Sequence, residues 1–541
     1  MRRFLFLAAC LLLYAGVWGQ QPVATSALKD TEFIIKKEHK HLLPESSRLF
    51  EGAPTSPCVT DPIHPLEYTL PTLYPKFDTL PRKTKIFRAK QDMIAKLYSN
   101  YLQGGHGNFY MPFLEGHFAN KHHAQYAYGL QIRHLSAGTK AYNEEHHHLI
   151  QLHGKLLYET LCLGGEVAYN RDKYPLYNPE DGTVATPRSK TWDQFSTRYT
   201  LSNYVHGMFN YQVDAVLHYC TDTDQAHELQ GGLNGQGDYT LNDAFTLSVF
   251  TDLHLTKYSN ITAVHRNLWR FKPMLSFLYN RFDVQGGVNL VYHNDASYVT
   301  NALHVYPVWE VKYTLYKWLQ PYIGLSGDIQ RNSLQGFLQE NPLLAPQTTL
   351  CHTNQRFVFY GGARGDIVEQ VSWHAGLSVG TYDNLHCWVN SDKDPRQFNV
   401  EYAPTATLLN TFGALTHTNR AETLTIRLRG DHFQYTLPEP SKPWHRPHYQ
   451  LDLLSTYRLY DRFMFRSSLC WVGGLSAWDV TKKVPVVLPD VVDVGLGIDY
   501  RLDARLAIFC NFQNLLARNN ERYLHYPSRG FHCMVGLTYA W

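Results

Sequence analysis

The last thirteen positions of this 541-residue chain alternate in a strict period of two. Phe531, Cys533, Val535, Leu537, Tyr539 and Trp541 share one parity, and His532, Met534, Gly536, Thr538 and Ala540 share the other. Successive side chains of a strand point to opposite faces, so the pattern predicts a strand with one large apolar face and one small or polar face. The alternation recurs upstream. Leu506, Ile508, Cys510 and Phe512 oppose Arg505, Asn511 and Gln513, and Val492, Val494, Leu496, Ile498 and Tyr500 oppose Asp493, Gly495, Gly497 and Asp499. Phe463, Phe465, Leu469 and Trp471 oppose Arg466 and Ser468, and Tyr449, Leu451, Leu453 and Tyr457 oppose Gln450, Asp452, Thr456 and Arg458. Leu424, Ile426 and Leu428 alternate with Arg427 and Arg429, and comparable runs cover Trp309 to Leu315 and Phe282 to Tyr292.

An arginine or aspartate at every second position has no place in a dry core. It fits a wall with lipid on one side and a wet lumen on the other, and in lipid only a closed barrel satisfies the backbone. The expectation is an all-β transmembrane antiparallel barrel of about 20 strands (roughly 18 to 22) over residues 106–541, preceded by a proline-rich extension. Arg501-Leu502-Asp503-Ala504 and Tyr460-Asp461 read as tight turns. Long connections are expected near 172–194, 332–352, 382–396, 474–489 and 514–528. In such barrels the short turns are periplasmic and the long loops extracellular.

Composition agrees. Mean hydropathy is −0.34, and no apolar run after residue 19 approaches the ~20 residues of a membrane helix. The 37 Tyr, 27 Phe and 11 Trp suit aromatic girdles at two interfaces. Met1-Arg2-Arg3 followed by the apolar Phe4–Val17 reads as a signal peptide over residues 1–19. The apolar run continues past Cys10, which argues against a lipoprotein box at Leu7–Cys10. Removing Arg2 and Arg3 takes the formal charge from +3 to +1 (3 − 2), so nothing points to nucleic acid. Residues 20–105 carry Pro44, Pro54, Pro57, Pro62, Pro65, Pro71, Pro75 and Pro81, the mark of an extended periplasmic or lumenal segment. Gln91 to Leu102 reads as a short helix within it.

Candidate chemistry is sparse. His146 and His148 share a strand face and could pair on a metal, but no carboxylate or cysteine spacing completes a site. Gly376-Leu377-Ser378-Val379-Gly380 has the spacing of a nucleophile elbow, yet it sits inside an alternating run with no helix after it. No catalytic residue and no cofactor is expected, and the chain does not read as an enzyme. Eight cysteines remain after loss of Cys10 (9 − 1), and export permits disulfides. Cys351 and Cys387, in neighbouring long connections, are the candidate pair, while Cys510 and Cys533 read as small apolar residues. Arg427, Arg429, Arg458, Arg466, Arg501 and Arg505 are expected to line the lumen. There they either select anions or pair with Asp452, Asp493, Asp499 and Asp503 to stiffen the wall.

Asn511-Phe512-Gln513-Asn514-Leu515-Leu516, then Tyr523, Tyr526-Pro527, Gly530-Phe531 and Gly536-Leu537-Thr538-Tyr539, resembles the closing hairpin of TonB-dependent outer-membrane receptors. Leu516 stands where that family has phenylalanine, and Arg529-Gly530 reverses its usual pair. The resemblance implies a Gram-negative outer-membrane protein in contact with lipid. It also implies an assembly signal at Phe531, Tyr539 and Trp541, read by the barrel-assembly machinery. The family's plug and TonB box have no recognisable counterpart in residues 20–105. Two functions follow as expectations: a plugless solute receptor or channel, or a non-transporting subunit of an outer-membrane complex. In the second, the lumen is closed by the chain's own segments or by other outer-membrane or periplasmic proteins.

Overall fold

The computed structural model describes residues 98–541, apart from 121–122, 124, 140–141, 178–188, 206, 261–262, 296–302 and 440. The expected signal peptide and most of the proline-rich segment therefore lie outside the described residues. Among the described residues the chain forms one large antiparallel sheet that closes on itself and two short ladders outside it, Ser476–Asp479 with Val484–Val487 and Glu521–Tyr523 with Tyr526–Pro527. Each strand of the large sheet pairs with the next strand of that sheet along the chain, and Tyr101–Gly107 pairs with His532–Ala540 from Tyr101↔Ala540 to Gly107↔Met534. The sheet contains 23 named strands. Ala263–His265 and Leu268–Tyr279 pair with the same neighbour, Phe245–Ser259, and form one interrupted wall strand, so the barrel has 22.

That is more than the expected twenty. The barrel begins at Tyr101 rather than residue 106. Its first strand, Tyr-Leu-Gln-Gly-Gly-His-Gly, has too few large side chains to show an alternation. Tyr101 and Leu102 are therefore strand, not the end of a helix; the rest of that expected helix before residue 98 is not described.

The two faces follow the sequence pattern. On Tyr142–Leu157, Ile150, Leu152 and Leu156 are exposed, and so are Val535, Leu537 and Tyr539 on the last strand and Phe531 and Trp541 at its two ends. These form the outer, lipid-facing surface, and the residues between them face the lumen. At the short-turn end the exposed aromatics Phe209, Tyr279, Tyr316, Trp318 and Tyr460 supply a girdle. The Tyr316 and Trp318 rings stack 5.6 Å apart.

Two strands overshoot the membrane. Val371–Asn390 has 20 residues and Phe398–Thr418 has 21, against the roughly 10 that cross a bilayer. Their pairing runs to Asn390↔Phe398, so the connection expected over 382–396 shrinks to 391–397. The segment 331–352 does the reverse. It opens with a helix, α1 (Leu334–Glu340), capped by Ser333, whose Oγ accepts the Gly336 N–H at 3.1 Å.

Candidate functional site: a roof across the barrel mouth

Segment 331–352 carries Leu334, Phe337, Leu338, Leu343, Leu344 and Leu350, too many large apolar residues for a solvated loop. All six are buried, in one cluster with Leu176, Trp192, Cys220, Tyr258, Trp388 and Phe398. These partners come from separated parts of the wall. Trp192 lies on the sixth of the 22 strands (Ser189–Asn203) and Phe398 on the sixteenth (Phe398–Thr418), ten apart where eleven would be diametrically opposite. A closed sheet of this size, with strands about 4.8 Å apart and tilted roughly 40°, is on the order of 40 Å across. A segment bonded to both sides must cross the mouth.

Polar contacts fix it at each side. On one, Trp192 Nε1 donates to the Pro342 carbonyl at 2.7 Å and Lys190 Nζ donates to the Leu344 carbonyl. The Glu228 carboxylate there accepts the Leu334 N–H at 3.1 Å, and Arg266 donates to the Asn332 carbonyl at 2.8 Å. On the other side, the Phe398 N–H donates to the Leu343 carbonyl at 2.9 Å and its carbonyl accepts the Ala345 N–H at 2.8 Å. The Tyr402 hydroxyl reaches the Thr349 carbonyl at 3.1 Å, and Trp388 Nε1 donates to Glu340 Oε1 at 2.8 Å. From the connection after the twenty-first strand, the Tyr523 hydroxyl donates to the Glu340 carbonyl at 2.7 Å.

Glu340, the last residue of α1, sits at the centre of this second side. Burial pushes its carboxyl up. Hydrogen bonds from His386 and Trp388, with the charges of His386 and Arg446, outweigh that and hold it down at about 2. Its side chain stays 39% exposed, so solvent screens part of this effect.

Inward side chains form a polar lumen wall. Arg270 pairs with Asp252 at 2.8 Å and Asp328 at 2.8 Å, beside Asn234, Lys272 and Asn289, in a cavity of about 530 Å³. A second cavity of about 600 Å³ includes Arg427, Arg466, Ser468 and Asn511.

The six arginines separate into two groups. Arg427, Arg429 and Arg466 stand within the wall on the inward parity. Arg429 pairs with Asp431 at 2.7 Å, its guanidinium 5.2 Å from the Phe412 ring centre, and Arg466 pairs with Asp499 at 2.8 Å. Arg458, Arg501 and Arg505 instead belong to the tight-turn end. Arg458 donates to the Glu422 carbonyl at 3.0 Å, the Arg501 N–H bonds to the Arg462 carbonyl at 2.8 Å, and Arg505 lies 5.9 Å from the Tyr98 ring.

The other sequence candidates are scattered. His146 and His148 face outward, on the parity of Ile150 and Leu152. His148 Nδ1 meets His134 Nδ1 at 3.1 Å. Among the described residues no three His, Cys, Asp or Glu side chains are arranged to hold a metal. Cys387 is a free thiol against Arg446, so it does not form the disulfide expected with Cys351, whose N–H instead donates to the Tyr402 hydroxyl at 2.9 Å. Ser378 sits mid-strand between Tyr360 and Asn410. Trp541 closes the outward row, its ring stacked 5.6 Å from Tyr539.

The roof anchors Lys190, Trp192, Arg266 and Trp388 carried no signal in the alternation. Leu334, Phe337 and Leu338 did, because the i, i+3, i+4 spacing of an amphipathic helix inside a long connection demands a partner surface.

No protein-family model and no curated protein sequence matches the chain. Solved structures match its fold. The FrpB iron transporter of Neisseria meningitidis superimposes with a TM-score of 0.66 at 8% identity, over 83% of this chain and 82% of its own. The siderophore receptor PirA of Acinetobacter baumannii gives 0.61 at 9%, over 82% and 80%. A variant of the ferric enterobactin receptor of Pseudomonas aeruginosa gives 0.60 at 11%, over 82% and 80%. These neighbours are TonB-dependent receptors, and the resemblance read from the closing hairpin holds for the barrel as a whole. The chain is a large β-barrel with the fold of those receptors.

Proposed function

We propose that the protein is a solute receptor and channel of the outer membrane whose mouth is held shut, in the state described, by residues 331–352. The observation that carries this reading is the anchoring of that segment on nearly opposite walls, through Trp192 and Phe398. A barrel of this width needs a closure, and an inward-folded loop supplies one at the outer end. Beneath it, the cavities around Arg270 and Arg427 offer a solute both charges and amide groups. Arg427, Arg429 and Arg466 line that lumen, and the pairing of Arg429 with Asp431 and of Arg466 with Asp499 stiffens the wall more than it selects anions. The solved neighbours, an iron transporter and two siderophore-type receptors, favour a binding and transport role over catalysis.

A second reading, a non-transporting subunit with a permanently sealed lumen, is favoured by one observation. The roof rests on a buried apolar cluster, the arrangement of a lid built to stay. Planar-bilayer conductance separates the two. The intact protein should conduct little, and replacing 334–350 with a short Gly-Ser linker should open it. Ion selectivity should then change in Arg427→Gln and Arg466→Gln. A roofless variant that stays silent would return the protein to the sealed-subunit reading.

A further inference from the structure

Cross-strand register arranges the outer wall in horizontal rows. On the third to sixth strands one row reads Ile132, Ile150, Tyr169 and Phe195, all apolar or aromatic. The next row toward the long-loop end reads His134, His148, Arg171 and Asp193, and the one after it Ser136, His146, Lys173 and Thr191. Two residues along a strand rise about 6.8 Å, so the basic rows begin directly above the edge of the apolar belt.

The patch is local. Elsewhere near the same end, the outward positions Leu303, Val305 and Phe357 are exposed and apolar. Within the patch, the His146 and His148 rings stack 6.2 Å apart and the His134 and His148 rings lie 4.7 Å apart. Arg171 has 56% of its side chain exposed and is tethered on one side by Asp193 at 3.7 Å. Asp193 is itself occupied by the Tyr169 hydroxyl at 2.6 Å. Among the described side chains, Arg171, Lys173 and three imidazoles thus face outward together, with one carboxylate, that of Asp193, between them.

We propose that this sector of the outer wall binds a phosphate group of an outer-leaflet lipid headgroup, the lipid's acyl chains lying on the apolar belt below. Guanidinium and ammonium groups give charge-assisted bonds to phosphate oxygens. Imidazole N–H groups donate to the same oxygens. Tyr169 and Phe195 mark the boundary where headgroups begin. The ligand is a lipid rather than a free anion because the patch lies on a convex wall open to water. It offers a loose phosphate no enclosure, whereas a lipid adds the apolar contact of Ile150, Leu152 and Val167.

The test uses the full chain in detergent micelles, with bisphosphorylated lipid A and the same lipid with both phosphates removed as probes, read by native mass spectrometry. The protein should retain the phosphorylated lipid about tenfold better, and Arg171→Gln with Lys173→Gln should abolish most of that preference. Heat-modifiable gel migration checks that the variant is folded. Equal retention of the two lipids by the unaltered protein overturns the proposal, whatever the variant does. So does an unchanged preference in a folded variant. Displacement of the lipid by millimolar inorganic phosphate also overturns it, by making the patch a free-anion site.

Discussion

Lys190 Nζ lies 3.1 Å from Asp222 Oδ2, with the two side chains 1% and 0% exposed, where the sixth and seventh wall strands meet the roof. The ammonium also lies 3.4 Å from Asp224, donates to the Leu344 carbonyl, and stands 4.7 Å from the Trp192 ring centre. One cation therefore joins two strands to the segment that crosses the mouth. Lys190→Met leaves the Asp222 charge buried without its counterion and should loosen the roof by about 3–5 kcal/mol. Adding Asp222→Leu should restore most of it. The readout is the rate of proteolysis within 331–352, and equal rates in the single and double variants would sink the ion-pair account.

Trp388 tests the opposite anchor. It is 1% exposed, meets the Phe337 ring edge-on at 5.5 Å, and holds Glu340 through its indole N–H. Trp388→Ala should weaken roof closure by about 3–5 kcal/mol, since a buried tryptophan leaves a large cavity. Hydrogen exchange in α1 should accelerate while the wall strands stay protected. Faster exchange in the wall as well would mean that Trp388 supports the barrel rather than the roof.

The outer loops should soften in mild acid. His445 is 1% exposed, and its Nδ1 lies 2.8 Å from the Trp388 carbonyl while Nε2 accepts the Leu524 N–H at 3.3 Å. One donor and one acceptor make a neutral ring. Burial lowers its pKa to about 4 from 6.5, more than the Trp388 carbonyl raises it. A depressed value means that the stability is present above 6.5 and is lost as pH falls through about 4, because the unfolded loop takes up the proton first. Proteolysis of the outer loops should accelerate across that window and do so less in His445→Gln. Identical pH profiles would remove His445 as the cause.

Barrel closure depends on a glycine. A Cβ on Gly536 would come 2.2 Å from the Gly104 carbonyl oxygen and 2.4 Å from Phe509 Cζ. The Phe509 ring, 1% exposed, also covers Gly105 and meets Phe113 edge-on at 6.3 Å. Gly536→Val should therefore disrupt the seam between first and last strands and remove the heat-modifiable folded band. Gly413→Ala, where a Cβ meets nothing within 4 Å, should leave that band intact. Normal folding of Gly536→Val would show that the seam can open without cost.

Legibility followed side-chain size. Where large apolar residues alternated with charges, as from Val491 to Arg501, the sequence read as wall and the structure agrees. Where glycine replaced them, as in Tyr101–Gly107, the strand went unread. The arginines show the same limit. Parity alone grouped Arg458, Arg501 and Arg505 with the lumen arginines, although the turns read at Tyr460-Asp461 and Arg501–Ala504 already put them at the short-turn end, and parity says nothing of height along the barrel. His146 and His148 were read correctly as sharing a face. Which face it was depended on Ile150 and Leu152 continuing the same row.

By itself the sequence determined the class of wall, its membrane and the end that carries the long connections, because a period of two is a local property of a strand between lipid and water. It also marked 332–352 as a long connection. Only the tertiary structure decided that this segment folds inward and spans from Trp192 to Phe398. Those two residues are far apart in sequence and lie on nearly opposite walls. No local pattern encodes that distance; it is set by the closure of 22 strands into one ring.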